Sequence, residues 1–140
     1  MIIDHIGIVV RSIEKGIERW EKIFDYKQMT EIINNSTQKV RVVFLQKEDS
    51  ITIKLIQPIN EKSSISNFAK KGGGIHHICF KCESLENELE KLRGLGLRVI
   101  TEPEPGEAFC NNDIAFVYVK EGLNIELIDT DCKAGLIEDL

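Results

Sequence analysis

Two short stretches decide the fold: DHIGIVV at residues 4–10 and HHICFKC at residues 76–82. When the sequence is shifted by 72 positions against itself, these stretches align without a gap and His5 falls on His77. Self-similarity at one fixed offset is the signature of a duplicated structural unit. The sequence therefore predicts two copies of one module.

The same offset relates the segments that follow each stretch. Ser12 falls on Ser84, and each serine precedes an apolar stripe with helical spacing, so each is a predicted helix N-cap. Further on, VVFL (42–45) aligns with IAFV (114–117), and IKLI (53–56) with IELI (125–128). The stripes are Ile13, Ile17, Trp20 and Ile23 in the first copy and Leu85, Leu89, Leu92 and Leu95 in the second. Each copy is predicted to form a strand, a helix and then three strands.

The predicted fold class is α+β, with two tandem βαβββ modules that form one eight-stranded cup. A chain of 140 residues suits a single domain. We place module 1 at residues 1–57, a helical linker at 58–74, module 2 at 75–130 and a C-terminal tail at 131–140. No chemistry is predicted for the tail.

Composition limits the classes of function. The formal net charge of -5 argues against general binding to nucleic acid or anionic membranes, which needs a basic surface. No apolar stretch approaches the length of a membrane span, and MIIDHIGIVVRS does not resemble a signal peptide, so we expect a cytoplasmic protein. The four cysteines are expected to be reduced, with the CxxC of Cys79 and Cys82 as packed thiols and not a zinc site.

Side-chain parity predicts which strand residues face the cup. Ile53 and Leu55 form one aliphatic set that suits burial beneath a helix, which leaves Lys54 on the concave face. The same reasoning places Glu126 there. His5 lies 49 residues before Lys54, and His77 lies 49 residues before Glu126, so the four side chains are expected to converge. Metal-ligating histidines and a metal-free polar pocket both fit this pattern. Thr52, Cys79 and Asn124 are candidate lining residues, with Tyr118 and Phe109 as candidate walls.

The paired modules, the HIGIVV opening, the GGGIHHICF stretch and the closing IELID resemble the glyoxalase, or vicinal oxygen chelate, superfamily. The resemblance covers residues 4–129 and is greatest to members that are methylmalonyl-CoA epimerase-like, then to those that are like lactoylglutathione lyase (glyoxalase I). It implies a divalent ion (nickel, cobalt, iron, manganese or zinc) at His5, His77 and Glu126, a small-molecule substrate and a homodimer.

Two residues depart from the epimerase pattern. Lys54 stands where epimerases have a glutamine or glutamate ligand, and a protonated ammonium has no lone pair to offer a metal. Thr37 stands where epimerases carry a glutamate base. Lys54 is therefore expected either to stabilise an anion or enolate, or to pair with Glu126 in place of a metal.

The leading interpretation is a metalloenzyme, an isomerase or lyase that transfers a proton on a small anionic or thioester substrate, with Glu126 and Lys54 as catalytic residues. One alternative is an extradiol-type dioxygenase with iron at His5, His77 and Glu126. The other is a non-catalytic protein that binds or sequesters a small molecule, as resistance proteins of this superfamily do.

Overall fold

The computed structural model describes residues 1–137 and shows the duplication directly. Residues 138–140, the end of the predicted tail, lie outside the described residues. Module 1 contains β1 (Ile2–Val9), α1 (Ile13–Phe24), β2 (Lys27–Gln28), β3 (Ile33–Asn35), β4 (Val40–Gln46) and β5 (Thr52–Pro58). A short helix, α2 (Ser66–Lys70), follows. Module 2 contains β6 (Gly74–Lys81), α3 (Leu85–Gly94), β7 (Arg98–Gly106), β8 (Asn112–Tyr118) and β9 (Asn124–Ile128), with a 3-10 turn at Glu107–Phe109.

The strands form one mixed sheet in the order β2-β4-β5-β1-β6-β9-β8-β7, and β3 also pairs with β4. The two modules meet at the antiparallel pair β1–β6, while β1 pairs with β5 and β6 with β9 in parallel. Read outward from the central pair, the order is β1-β5-β4-β2 in module 1 and β6-β9-β8-β7 in module 2, so corresponding strands occupy corresponding places. The predicted α+β cup is thus confirmed, with nine strands among the described residues because the second strand of module 1 is split into β2 and β3.

The aliphatic strand residues pack beneath the helices as side-chain parity predicts. Ile53 and Leu55 contact the core under α1, and Ile125 and Leu127 contact the core under α3. Both predicted N-caps are present, because the Ser12 and Ser84 hydroxyls accept bonds from the amides of Lys15 and Asn87. The predicted stripes fail only at their ends: Ile23 and Leu95 are exposed, and Leu95 lies one residue past the end of α3.

The opposite face of the sheet is lined by a third apolar cluster that includes Phe44, Phe109, Phe116 and Cys79. This is the concave side, where the polar residues converge. In the described part of the chain, no helix is long and apolar enough to cross a membrane.

The expectation of four reduced cysteines is wrong for two of them. Cys110 and Cys132 form a disulfide, whereas Cys79 and Cys82 are free and buried, as predicted. Parity and sequence spacing gave no sign of the bond, because it joins the loop before β8 to a tail whose path is not encoded locally. The linker contains one short helix, Ser66–Lys70.

Candidate metal centre and cavity

Three buried side chains meet at the centre of the cup: His5 from β1, His77 from β6 and Glu126 from β9. The two Nε2 atoms are 3.2 Å apart. Glu126 Oε1 lies 3.0 Å from His5 Nε2 and 3.2 Å from His77 Nε2. The predicted ligand atoms therefore form a nearly equilateral triangle.

Strand pairing places these residues. His77 lies opposite Gly7 in the β1–β6 register, and its ring occupies the space where a side chain at Gly7 would be. Glu126 lies beside Cys79 in the parallel β6–β9 pair and opposite Phe116 in the antiparallel β8–β9 pair. The glycine of DHIGIVV is thus required by the close approach of a histidine ring.

The ring nitrogens that face away from the triangle have their own partners. His5 Nδ1 donates to Asp4 Oδ2 at 2.7 Å, which leaves the lone pair of His5 on Nε2. His77 Nδ1 lies 2.8 Å from His76 Nδ1, so His77 also presents a bare Nε2 when it is the donor. Such outer contacts fix the tautomer and ring orientation of metal-ligating histidines.

Burial and nearby charge keep His77 neutral and Glu126 ionised, the forms that bind a cation. Burial lowers the pKa of His77 to about 4, so the ring is neutral near pH 7. For Glu126, burial alone would raise the pKa of the carboxyl, but the charge of Lys54 and the contacts of the two histidines lower it well below its usual value. Neither Glu126 oxygen has a satisfactory hydrogen bond from the described residues.

The donor set fits a divalent metal. Ligands about 2.1 Å from an octahedral ion are separated by about 3.0 Å along one triangular face, close to the edges of this triangle. Two imidazole lone pairs and a carboxylate oxygen repel one another when nothing positive lies between them. The arrangement therefore has the chemistry and spacing of a facial two-histidine, one-carboxylate site.

Lys54 lies beside the triangle and does not fill it. Its Nζ is 3.8 Å from Glu126 Oε2, while Oε1 remains directed at the histidines. The ammonium also lies 5.1 Å from the centroid of Phe109 and 5.7 Å from that of Phe44, within the range of cation–π attraction. The predicted ion pair is thus present. It involves Glu126 Oε2, whereas the oxygen that belongs to the triangle is Oε1.

A cavity of about 430 Å³ opens above this cluster. Its wall includes Lys54, His77 and Asn124 from the sequence prediction, and it includes Thr37. The other predicted lining residues are elsewhere: Cys79 is buried below the cluster, and Thr52, Tyr118 and Phe109 are not part of the wall. Tyr118 pairs with Asn124 in the β8–β9 register, so parity puts the two side chains on the same face. Tyr118 nevertheless lies at a half-exposed edge beyond the cavity.

Sequence reasoning missed the charged residues of the wall, which are Lys39, Lys62 and Glu104. Glu104 faces the cavity because of an irregularity in β7. Thr101 pairs with Phe116 and Glu104 pairs with Ile114, so β7 advances by three residues over a length in which β8 advances by two. The extra residue turns both Thr101 and Glu104 to one face, and strict alternation cannot predict that.

The duplicated βαβββ cup has two histidines and one glutamate at its centre, a set of side chains that could hold a metal ion. Residues 4–118 match the sequence profile of the Glyoxalase/Bleomycin resistance protein/Dioxygenase superfamily, and the chain belongs to this family. The resemblance seen in the sequence is thereby confirmed.

Several relatives within the family are epimerases. The chain is 28% identical over 129 residues to the mitochondrial methylmalonyl-CoA epimerase of Dictyostelium discoideum, covering 89% of this chain and 76% of that protein. The structure of the Mycobacterium tuberculosis methylmalonyl-CoA epimerase superposes with a TM-score of 0.82 at 29% identity, covering 91% of this chain and 87% of that one. A variant of the Streptomyces coelicolor enzyme in complex with 2-nitronate-propionyl-CoA gives a TM-score of 0.83 at 27% identity, covering 94% and 99%.

Proposed function

We propose that this protein is a proton-transfer isomerase that acts beside the carbonyl of a small anionic or thioester-linked substrate, with a coenzyme A thioester as the first compound to test. The observation that carries the proposal is the convergence of His77 and the Lys54 ammonium on the wall of one cavity directly above the buried triangle. The relatives named above are epimerases, and the ligand of the Streptomyces coelicolor complex is a coenzyme A thioester analogue.

The charge of the cavity favours an anionic substrate. Three lysines, Lys39, Lys54 and Lys62, line its wall, against one acidic residue, Glu104. Lys54 is buried, so its charge is little screened by water. When a proton leaves the carbon beside a carbonyl, the negative charge moves to the oxygen, and a fixed cation in that position lowers the barrier.

Glu104 is the group we assign to the proton transfer. A threonine hydroxyl at position 37 is far too weak a base, whereas a carboxylate within reach of the substrate suffices. Glu104 makes no hydrogen bond or ion pair with any residue in the described part of the chain, and its side chain is partly buried in the cavity wall. It is therefore available to remove the α-proton. Return of that proton to the same carbon from the same side gives only exchange with solvent, whereas its return to the neighbouring oxygen-bearing carbon of the enolate gives an isomer.

The triangle and Lys54 then act on the carbonyl. His5, His77 and Glu126 would hold a divalent ion, which supplies Lewis-acid polarisation of the substrate oxygen when it is bound. Phe116 lines the cavity beside His77 and would limit the access of water there, and the buried Lys54 would lie close to the developing charge.

Deuterium exchange at the α-carbon tests the proposal whichever product the reaction gives. The protein would be incubated in D₂O with divalent metal and a panel of acyl-CoA thioesters, methylmalonyl-CoA included, and loss of the α-proton would be followed by proton NMR. We expect exchange on at least one thioester and a loss of at least about 100-fold in Glu104→Gln, the usual contribution of a general base.

Two further variants sharpen this test. Glu102→Gln is the matched control, because Glu102 lies in the same strand but pairs with Arg93 outside the cavity. Thr37→Glu supplies the carboxylate of the epimerase pattern and should add inversion of methylmalonyl-CoA. Exchange that is absent from the whole panel in metal-loaded protein would contradict the proposed function, and undiminished exchange in Glu104→Gln would contradict the role of Glu104 alone.

The facial triangle itself favours a second candidate, an iron-dependent dioxygenase. Two histidines and one carboxylate are the ligand set of non-haem iron oxygenases with open positions for substrate and oxygen. Anaerobic reconstitution with ferrous iron, followed by oxygen-uptake measurements on catechols, distinguishes the two functions. Uptake coupled to ring cleavage would favour the dioxygenase, and its absence with active α-proton exchange would favour the isomerase.

The cytoplasmic location predicted from the sequence and the homodimer implied by the family resemblance stay predictions. Sedimentation of the purified protein would test the second. The disulfide between Cys110 and Cys132 counts against the predicted cytoplasmic location, because such bonds are uncommon in reducing compartments.

A further inference from the structure

The C-terminal tail, for which the sequence predicted no chemistry, reaches the metal centre. Lys133 is buried, and its Nζ lies 3.2 Å from Asp4 Oδ1. Asp4 Oδ2 in turn accepts the hydrogen bond from His5 Nδ1 at 2.7 Å. A continuous chain of contacts thus leads from the tail through one carboxylate to the ring that presents Nε2 to the triangle.

A strand irregularity makes the Asp4 contact possible. In the β1–β6 pairing, Ile3 lies opposite Phe80 and His5 opposite Cys79, so Asp4 is an extra residue with no partner. Neighbouring side chains in a regular strand point to opposite faces, and a bulge removes that restriction. The bulge therefore allows the Asp4 carboxylate to lie beside the ring of the very next residue.

Lys133 is held from both sides. Cys132 is bonded to Cys110, and the amide of Ala134 donates to the carbonyl of Ala108 at 2.9 Å. Beyond Lys133, Leu136 forms a β-bridge with Thr30. The tail is anchored on each side of the lysine, and Nζ lies 5.3 Å from the ring centroids of both Phe44 and Phe109.

Lys133 and Lys54 contact the same two rings, but they serve different carboxylates. Lys54 lies near Glu126, while Lys133 has Asp4 as its ion-pair partner among residues 1–137. A buried ammonium must be paired to be tolerated. The pairing explains why a carboxylate only 13% exposed stays directed inward toward His5 instead of turning to water.

We propose that Asp4 is a positioning residue that fixes His5 in the tautomer with a bare Nε2, that Lys133 holds Asp4 in place, and that the Cys110–Cys132 disulfide holds Lys133. The proposal rests on the metal centre described above, but not on any reaction of the cavity. The C-terminal tail is accordingly a structural part of the site.

Nitrogen NMR of the histidine side chains tests this directly. The chain has three histidines, so the spectrum is simple. In metal-free protein at neutral pH, we expect His5 to carry its proton on Nδ1. Asp4→Ala should remove this preference and weaken zinc or cobalt affinity roughly 10- to 100-fold, the usual effect of losing such a partner. Asp4→Asn keeps an acceptor oxygen and should recover the Nδ1–H tautomer.

The tail is tested by variants that preserve packing. Lys133→Met keeps the apolar stem against Phe44 and Phe109, and the double replacement Cys110→Ser with Cys132→Ser removes the bond. We expect both proteins to show faster solvent exchange of the His5 Nδ1 proton. Lys81→Met is the control, because it removes a neighbouring positive charge and breaks the pair with Asp131 in the same tail, but keeps both direct contacts of Asp4.

Two results would overturn the proposal. One is a proton on His5 Nε2 in the unaltered protein. The other is a His5 spectrum and metal affinity in Asp4→Ala and Lys133→Met that equal those of the Lys81→Met control, even if both variants are less stable. None of these measurements uses substrate, so a failed isomerase assay leaves them unaffected.

Discussion

Replacing Lys54 by glutamine is the change from which we expect the clearest pair of opposite effects. Lys54→Gln removes the ammonium that lies 3.8 Å from Glu126 Oε2 and puts a carbonyl oxygen, which can bind a metal, in its place. The metal-free protein should become less stable, because a buried carboxylate loses its cation. Affinity for a divalent metal should rise, because the ammonium no longer repels the metal ion and the glutamine carbonyl oxygen can act as a ligand.

The magnitude follows from the distance. Two unit charges 3.8 Å apart attract by about 4 kcal/mol at an effective dielectric constant of about 20. Removal of one partner from a buried pair costs about 3–5 kcal/mol in comparable cases. Because the amide of the introduced glutamine can still donate a hydrogen bond to the carboxylate, we expect the lower end, about 3 kcal/mol of unfolding free energy. Saturating metal should restore that stability.

A double-mutant cycle measured by urea denaturation is the appropriate assay. The four proteins are the unaltered chain, Lys54→Gln, Glu126→Gln and the double variant, each with chelator and with manganese or zinc. We expect a coupling of about 2–4 kcal/mol without metal. A coupling below about 0.5 kcal/mol, the error of additivity, together with unchanged metal affinity, would refute this account of the pair. Lys22→Gln, which breaks an exposed pair with Glu18, should leave the stability nearly unchanged.

Three other perturbations have definite expected outcomes. Gly7→Ala puts a methyl group into the ring of His77, so it should lower unfolding stability by about 1–3 kcal/mol and abolish tight metal binding, as measured by urea denaturation and calorimetric titration. Acidification of the metal-free protein from about pH 6.5 to pH 4 should lower the free energy of unfolding by up to about 3 kcal/mol. The reason is that the unfolded chain protonates His77 in this range, whereas the fold keeps it neutral down to about pH 4. A free energy of unfolding that does not change with pH would contradict a neutral buried His77. Leu89→Ala, on the buried face of α3, should lower the free energy of unfolding by about 2–5 kcal/mol while metal affinity stays the same. A parallel loss of affinity would show that the cup depends on the helical layer.

The repeat accounts for most of what the sequence could predict. One offset aligned His5 with His77 and Lys54 with Glu126, and strand parity then gave the buried and concave faces correctly in β5 and β9. These inferences succeed because they depend on alternation within regular strands and on a symmetry visible in the chain itself.

The unpredicted parts of the site all lie where regularity fails. Asp4 and Glu104 reach the site through irregularities in β1 and β7, and alternation assigns faces wrongly across a bulge. Lys133 and the disulfide depend on the path of a tail that has no periodic pattern to reveal it. Long-range contacts of this kind leave no local signal in a single sequence.

The opposite charges at Lys54 and Glu126 have a consequence for how such a protein can arise. In a homodimer of two identical half-length modules, a twofold axis would place the same residue at both equivalent positions, giving either two lysines or two glutamates face to face. Joining the modules in one polypeptide frees each copy to vary alone. An attractive pair across the pseudo-twofold, with a carboxylate from one half and an ammonium from the other, is therefore available to the fused chain but not to a homodimer of identical modules.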